Sequence, residues 1–276
     1  MSAPDVTVVI PTHQREEEVV KAVKSALAQE GVSVECVVLD DTREGTARAG
    51  LEALNDDRVR YLVRDVPSGG RPAVVRNEGA ALARGRYLHF LDDDDMLAEG
   101  ALEFAVGELE RNPSRGVAIG WVVPFGDDPF WLDNKRSYFE RAAKVARATP
   151  SSLWTVVHVL FRGTLFVNSA CLIRREYFQP LGGFDPTIPV YEDVDFWMRA
   201  IRRYGHVYLD RPVLLYSTGK PSLMHNLGHE VKLVRESNAM IHAKYRRDHG
   251  AFEYHLLQAC ARLLPFEILR HLPFGG

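Results

Sequence analysis

The sequence predicts an α/β fold organised around a mostly parallel sheet. Two observations carry that prediction. Over the first 110 residues, short apolar runs of strand composition alternate with longer segments whose apolar residues recur every three or four positions. The residues able to hold a ligand follow those strands, and an open parallel sheet with right-handed crossovers binds beyond the carboxyl ends of its strands.

VTVVI (6 to 10) reads as the first strand and REEEVVKAVKSALAQ as the helix after it. ECVVLD (35 to 40), VRYLV (59 to 63) and RYLHFL (86 to 91) are further strands, β-branched or aromatic and each ending at polar or turn residues. TARAGLEALN and PAVVRNEGAALARG are the helices between them, with Gly near their ends. The second half is less regular. It offers a strand GVAIGWVVPF (116 to 125), an aromatic and basic helix WLDNKRSYFERAAKVARA, and an apolar strand FVNSACLIRR (166 to 175). A Gly-rich turn LGGFD, a helix YEDVDFWMRAIRRYG (191 to 205) and a strand HVYLDRPVLLYS follow, leading into a loop TGKPSLMHNLGH. From about 227 the chain reads as helical, with no internal repeat or low-complexity linker.

With 276 residues there is room for one large domain with an appendage. Acids exceed bases by 37 minus 34, a formal net charge of -3, and no long basic run appears, which argues against general nucleic-acid binding. Cys36, Cys171 and Cys260 are odd in number and far apart, forming neither a disulfide framework nor a zinc knuckle. MSAPDVTVVIP lacks the features of a secretory signal, and no apolar run approaches the roughly 20 residues that span a bilayer. The expectation is a soluble cytoplasmic protein, with a peripheral place at the inner face of a membrane left open.

The GxGxxG fingerprint is missing after the first strand, and Gly219-Lys220 has no Gly at Walker A spacing, so hydride transfer and P-loop chemistry are disfavoured. PTHQRE stands there instead. Pro11 bends the chain, Thr12 offers a hydroxyl, and Arg15 completes the turn; a plain strand-to-helix turn is the competing reading. In LDDTREGT, either Asp40 or Asp41 could accept the N3 proton of a pyrimidine, or the pair could simply make a turn. HFLDDDDM places Asp92, Asp93, Asp94 and Asp95 directly after the fourth strand. Hard divalent cations take oxygen ligands, and a magnesium or manganese ion bridging to a phosphate needs only one or two carboxylates.

Taken together, these segments resemble the family 2 glycosyltransferases of the GT-A fold. VTVVIPTHQRE looks like the family's opening strand and turn, ECVVLDDTREGT is similar to its VVVDDGSTDGT segment, and VVRNEGAALARGRYLHFLDDDD resembles its ARNxGxxxAxGxYxxFLDxDD block. LGGFDPTIPVYEDVDFWMRAIRRYG resembles its GGFDE and EDxDLWLR stretch, so the likeness runs from about residue 5 to 217. The resemblance implies a three-layer αβα sandwich with a helical C-terminal extension. It divides the chain into a catalytic domain, 1–225 (nucleotide-binding half 1–110, acceptor-binding half 111–225), and an extension, 226–276.

The resemblance also implies an inverting transfer from a UDP- or dTDP-sugar to a saccharide, lipid-linked or small-molecule hydroxyl, aided by Mn2+ or Mg2+. Thr12 and Asp40 would hold the base, with Pro11, Arg15 and Asp41 beside them. Asp94 would be the direct metal ligand, Asp92 the other outer member of DxD and nearer the ribose, and Asp93 a further nucleotide-sugar contact. Arg76 and Asn77 either position the base and diphosphate or brace the loop that does, and Arg71 is either a nucleotide contact or a surface residue. Asp193 is the implied general base, Glu192 an acceptor contact, and Asp195 an internal one. The family's histidine after its last strand is replaced here by YSTGKPS; His225 or His229 could substitute as a metal ligand, or Lys220 could meet the diphosphate. The tail FEYHLLQACARLLPFEILRHLPF, interrupted at Pro265, either packs on the catalytic domain or a second copy, or lies on a membrane. Two rival functions are a sugar-1-phosphate nucleotidyltransferase, which would want a Gly-rich phosphate loop after the first strand, and a noncatalytic saccharide-binding scaffold.

Overall fold

The computed structural model describes residues 3–149, 151–219 and 227–263. In chain order the elements are β1 (Val6–Thr12), α1 (Glu16–Leu27), β2 (Val34–Asp40), α2 (Arg48–Glu52), β3 (Val59–Val63), α3 (Pro72–Leu82), β4 (Tyr87–Phe90) and β5 (Met96–Leu97). They continue with α4 (Ala101–Arg111), β6 (Val117–Phe125), α5 (Pro129–Arg147), α6 (Ser152–Arg162), β7 (Cys171–Arg174), α7 (Glu192–Tyr204), β8 (His206–Ser217), α8 (Leu227–His249) and α9 (Ala251–Leu263).

One sheet runs β3-β2-β1-β4-β7-β6-β8-β5. The pairs β1–β2, β2–β3, β1–β4 and β6–β8 are parallel, while β7 runs antiparallel to both β4 and β6, and β5 to β8. Alternation along each strand sends side chains to opposite faces. Val9, Val37, Leu39, Leu88 and Phe90 join the core beneath α3, α6, α7, α8 and α9, whereas Val8, Ile10, Cys36, Val38 and Tyr87 join the core beneath α1 and α4. The result is three layers, helix, sheet and helix. α1 shows the local cause: Val19, Ala22, Val23 and Ala26 are its buried residues, spaced for one helical stripe.

Two local expectations are corrected, and two further elements had no counterpart in the sequence reading. The strand expected over 166 to 175 shrinks to Cys171–Arg174, because Asn168–Ala170 is a 3-10 turn whose side chains are used for hydrogen bonds. The helix expected over TARAGLEALN is only Arg48–Glu52. The two-residue β5 carries no readable pattern. α6 had no assignment from the sequence, although Ser152, Thr155, His158 and Arg162 mark a polar stripe at helical spacing, and it buries Trp154, Thr155, Val156, Val157, Val159 and Leu160.

The C-terminal helices share the catalytic core rather than standing apart. Ile241, Tyr245, Tyr254, Leu257 and Ala261 are buried with residues of α6 and α7. Lys244 Nζ donates to Asp185 Oδ2 at 2.7 Å and to Asp195 Oδ2 at 2.9 Å, and Ser237 Oγ accepts the Val190 N–H at 3.1 Å. The boundary expected at 225 lies outside the described residues.

Candidate active site

β1, β2 and β4 run parallel, so Thr12, Asp40–Asp41 and Asp92–Asp95 arrive at one edge of the sheet. The acidic run alternates. Asp92 and Asp94 keep side-chain exposures of 36% and 18%, while Asp93 and Asp95 turn inward. Asp93 accepts the Thr12 hydroxyl at 2.8 Å and Arg15 Nη1 at 2.7 Å. Asp95 accepts the Ser217 N–H at 3.0 Å. The inner acids thus anchor the loop to the turn after β1 and to the end of β8, which leaves the outer pair facing out. Burial pushes the Asp94 carboxyl up to about 6, with Asp92 and Asp93 adding and Arg15, 2.7 Å away, opposing.

α3 brings the second group. Gly79 lies against Val9 and Leu39 where a Cβ would have no room, so the helix docks close on the sheet. One turn earlier, Arg76 is 6% exposed and reaches over the strand ends. Its Nη2 donates to Asp92 Oδ1 at 2.7 Å and its Nη1 to Glu192 Oε1 at 2.6 Å, while the guanidinium lies over the Phe184 ring at 5.6 Å. A single arginine therefore joins the acidic loop to the first turn of α7. Asp193, half-buried beside it, has its carboxyl pushed up to about 7 by burial and by Glu192, with Arg76 opposing. Asp92 acts electrostatically on both Asp94 and Asp193, so the two expected working acids share one neighbour.

An aromatic cluster fixes these loops from beneath. Phe90 meets Phe184 edge-on at 4.8 Å, Phe184 meets Phe196 at 4.5 Å, and Phe196 meets Trp197 at 5.0 Å. These rings sit within two residues of the DDDD run and the Gly-Gly turn and within one helical turn of the Glu-Asp pair. Trp197 Nε1 donates to Asn168 Oδ1 at 3.2 Å, Asn168 Nδ2 to the Phe90 carbonyl at 3.1 Å, and the Asp92 N–H to Ser169 Oγ at 3.1 Å. Sequence reasoning missed Asn168 and Ser169; the available signal was a polar pair inside an otherwise apolar run.

Several expected contacts turn inward. Asp40 is fully buried and takes the Thr42 N–H, the Thr42 hydroxyl, the Ala47 N–H and the Tyr61 hydroxyl at 2.6 to 3.0 Å, so its carboxylate holds the loop after β2. Asp41 accepts Arg64 Nη1 at 2.8 Å and both the N–H and hydroxyl of Ser68. Asn77 brackets Phe184, donating to its carbonyl at 2.8 Å and accepting its N–H at 2.9 Å, with Gly183 too close for any side chain. Arg71 is exposed, and its N–H donates to Ser68 Oγ at 2.9 Å. Pro11 is half-buried at the end of β1. Asp195 makes the internal contacts expected of it, to Arg199 Nε at 2.9 Å and to Lys244. His225 and Lys220 lie outside the described residues, as does the side chain of His229.

Among the described residues no group of three or more His, Cys, Asp and Glu side chains is arranged to hold a metal. The outward pair Asp92 and Asp94 nevertheless fits a hard divalent cation, because one or two carboxylates suffice when phosphate oxygens and water complete the shell. Desolvation of Asp94 among like charges also favours an added positive charge there.

The family model described as "Glycosyl transferase family 2" matches residues 7–182. The chain belongs to that family. The chain is 40% identical over 162 residues to the "Succinoglycan biosynthesis protein ExoO" of Rhizobium meliloti (strain 1021), a match covering 58% of this chain and 44% of ExoO. It is 35% identical over 101 residues to a "GalNAc(5)-diNAcBac-PP-undecaprenol beta-1,3-glucosyltransferase" of Campylobacter jejuni, covering 36% of this chain and 32% of the relative. The chain spans less than two thirds of the length of these curated relatives. Among solved structures, S. aureus TarS 1-349 in complex with UDP-GlcNAc is similar at a TM-score of 0.66 and 16% identity, covering 98% of this chain and 73% of that one. The mannosyltransferase PcManGT from Pyrobaculum calidifontis, in complex with GDP-Man and Mn2+, is similar at 0.64 and 19%, covering 98% and 74%. At such identities the likeness is one of fold, the GT-A fold expected from the motifs.

Proposed function

We propose that this glycosyltransferase moves a sugar from a UDP- or dTDP-sugar to a saccharide hydroxyl with inversion at the anomeric carbon. The observation that carries the reading is the Arg76 bridge, which holds Asp92 and Glu192 within 2.7 Å of one guanidinium. That bridge supports a donor-side acidic loop and an acceptor-side acid working on one substrate pair. TarS with UDP-GlcNAc and PcManGT with GDP-Man and Mn2+ support a nucleotide-sugar donor and a divalent ion.

Asp94 and Asp92 would hold Mn2+ or Mg2+, which supplies Lewis-acid stabilisation of the negative charge that develops on the departing diphosphate. Asp193 removes the proton from the attacking hydroxyl. Its raised affinity for protons suits that task, since a base titrating near neutrality both accepts a proton and is available to do so. Glu192, tied to Arg76, orients the acceptor side, and Thr12 and Arg15 fix the donor side by holding Asp93. The name of the Campylobacter relative supports a lipid-linked saccharide among the acceptors. No described helix is long and apolar enough to cross a membrane, and the exposed Phe252, Leu256 and Leu263 on α9 support peripheral contact of that helix with a bilayer surface, which flotation with anionic vesicles would check.

Calorimetry with UDP, with and without Mn2+, tests the donor site, and a panel of sugar nucleotides tests turnover. Asp94→Ala should lose metal-dependent binding and transfer. Asp193→Asn should keep nucleotide binding while kcat falls by ~10²–10⁴. Full turnover in either folded variant would remove the mechanism.

A further inference from the structure

Tyr191 has φ of +65°, a left-handed, strained backbone that bulky side chains rarely adopt. The chain immediately before it is pinned by the bond from the Val190 N–H to Ser237 Oγ, and its own carbonyl accepts the Asp195 N–H at 3.1 Å to start α7. The strain therefore sits between two fixed points, directly before Glu192 and Asp193. The side chain is half-buried and packs partly against the core, and its hydroxyl makes no hydrogen bond among the described residues. Tyr191 stands two residues before Asp193 in the chain, and burial, the Asp193 carboxylate and the Tyr138 phenol of α5 all push its phenol up. Tyr138 in turn acts on Tyr216 of β8, and Tyr216 feels Asp95, Asp94 and Asp92.

We propose that the Tyr191 ring is the acceptor platform: a saccharide stacks an apolar C–H face on it, which sets the attacking hydroxyl against Asp193. This rests on the reading of Asp193 as the base. A strained aromatic beside that acid is a poor choice for stability alone, since glycine would fill the backbone position without strain. A flat, amphipathic ring is suited to a sugar, whose ring hydrogens are apolar and whose rim is hydroxylated. The acceptor class follows: a pyranose or furanose residue rather than a simple alcohol or a peptide hydroxyl.

The test uses the full chain loaded with UDP and Mn2+, with a panel of 4-nitrophenyl glycosides as acceptor probes read by saturation-transfer NMR. At least one glycoside should bind wild type. Tyr191→Ala should weaken it about tenfold, Tyr191→Phe should restore it, and affinity for UDP should be equal in all three. Tyr191→Gly should bind the glycoside as poorly as Tyr191→Ala yet melt ~2–4 °C above it, because both lack the ring and only glycine relieves the strain. UDP binding with no glycoside bound, equal glycoside affinity in Tyr191→Ala, or loss in Tyr191→Phe as large as in Tyr191→Ala would overturn the platform alone. Failure of wild type to bind UDP would overturn the transferase reading beneath it.

Discussion

A guanidinium that is 6% exposed has lost nearly all of its water, and at Arg76 two carboxylates replace it. Arg76→Met would leave Asp92 and Glu192 facing each other without a cation, and unfolding in urea should show a loss of about 3–5 kcal/mol. Arg76→Lys keeps the charge but not the fork that reaches both acids, so stability should recover further than kcat/KM does. At Asp193 the sign of the pH effect can be worked out. A carboxyl pushed up to about 7 is protonated in acid, where it cannot act as a base, so kcat/KM should rise with pH through about 7. That limb should vanish in Asp193→Asn. Its contribution to folding has the opposite sign: the folded state holds the proton more tightly, so stability declines as pH rises from the ordinary carboxylate range towards 7. The sequence carried these residues only as types at spacings. It could not show that Asp40 would spend its oxygens on Thr42, Ala47 and Tyr61, because those partners are decided by how the loop closes.

Elements position the acids. α7 presents Glu192 and Asp193 because Phe196 and Trp197 are fully buried against Phe90 and Phe184, and α8 holds the same region from outside through Lys244. Lys244→Met should lower stability by about 1–3 kcal/mol, seen as a fall in melting temperature, because Asp185 loses its ammonium while Asp195 keeps only Arg199. Calorimetry with UDP should show little change, since the ion pairs of Lys244 go to Asp185 and Asp195 and not to Asp92, Asp94 or Glu192. The first four strands were legible because β-branched and aromatic runs bounded by turns admit few other readings. α6 was harder to see, since its run of Val156, Val157, Val159 and Leu160 is of strand composition even though Ser152, Thr155, His158 and Arg162 recur at helical spacing, and β7 was blurred by Asn168 and Ser169 serving β4 instead of the ladder.

At the scale of the whole molecule, inserting β7 antiparallel between β4 and β6 joins a parallel half that carries the acidic loop to a second half that ends at Ser217. No local pattern encodes that insertion, so periodicity alone leaves the strand order open. Acid stability has named contributors across this scaffold. The Ser33 N–H and hydroxyl hold Asp5 down to about 2, and at Asp185 burial is outweighed by Lys244 and Thr187, again to about 2. Both groups are lowered, so their stabilisation is complete above the usual carboxylate range and should disappear as pH falls from about 4 to about 2. Thermal unfolding across that range should show the decline, shallower in Lys244→Met.

Because Ile241, Tyr245, Tyr254, Leu257 and Ala261 are built into the same interior as α6 and α7, a gene trimmed to stop after Thr218 would strip the cover from greasy helices that cradle the reaction centre. Such a shortened product should collect in inclusion bodies, so anyone engineering this protein has to treat α8 and α9 as part of its folding unit.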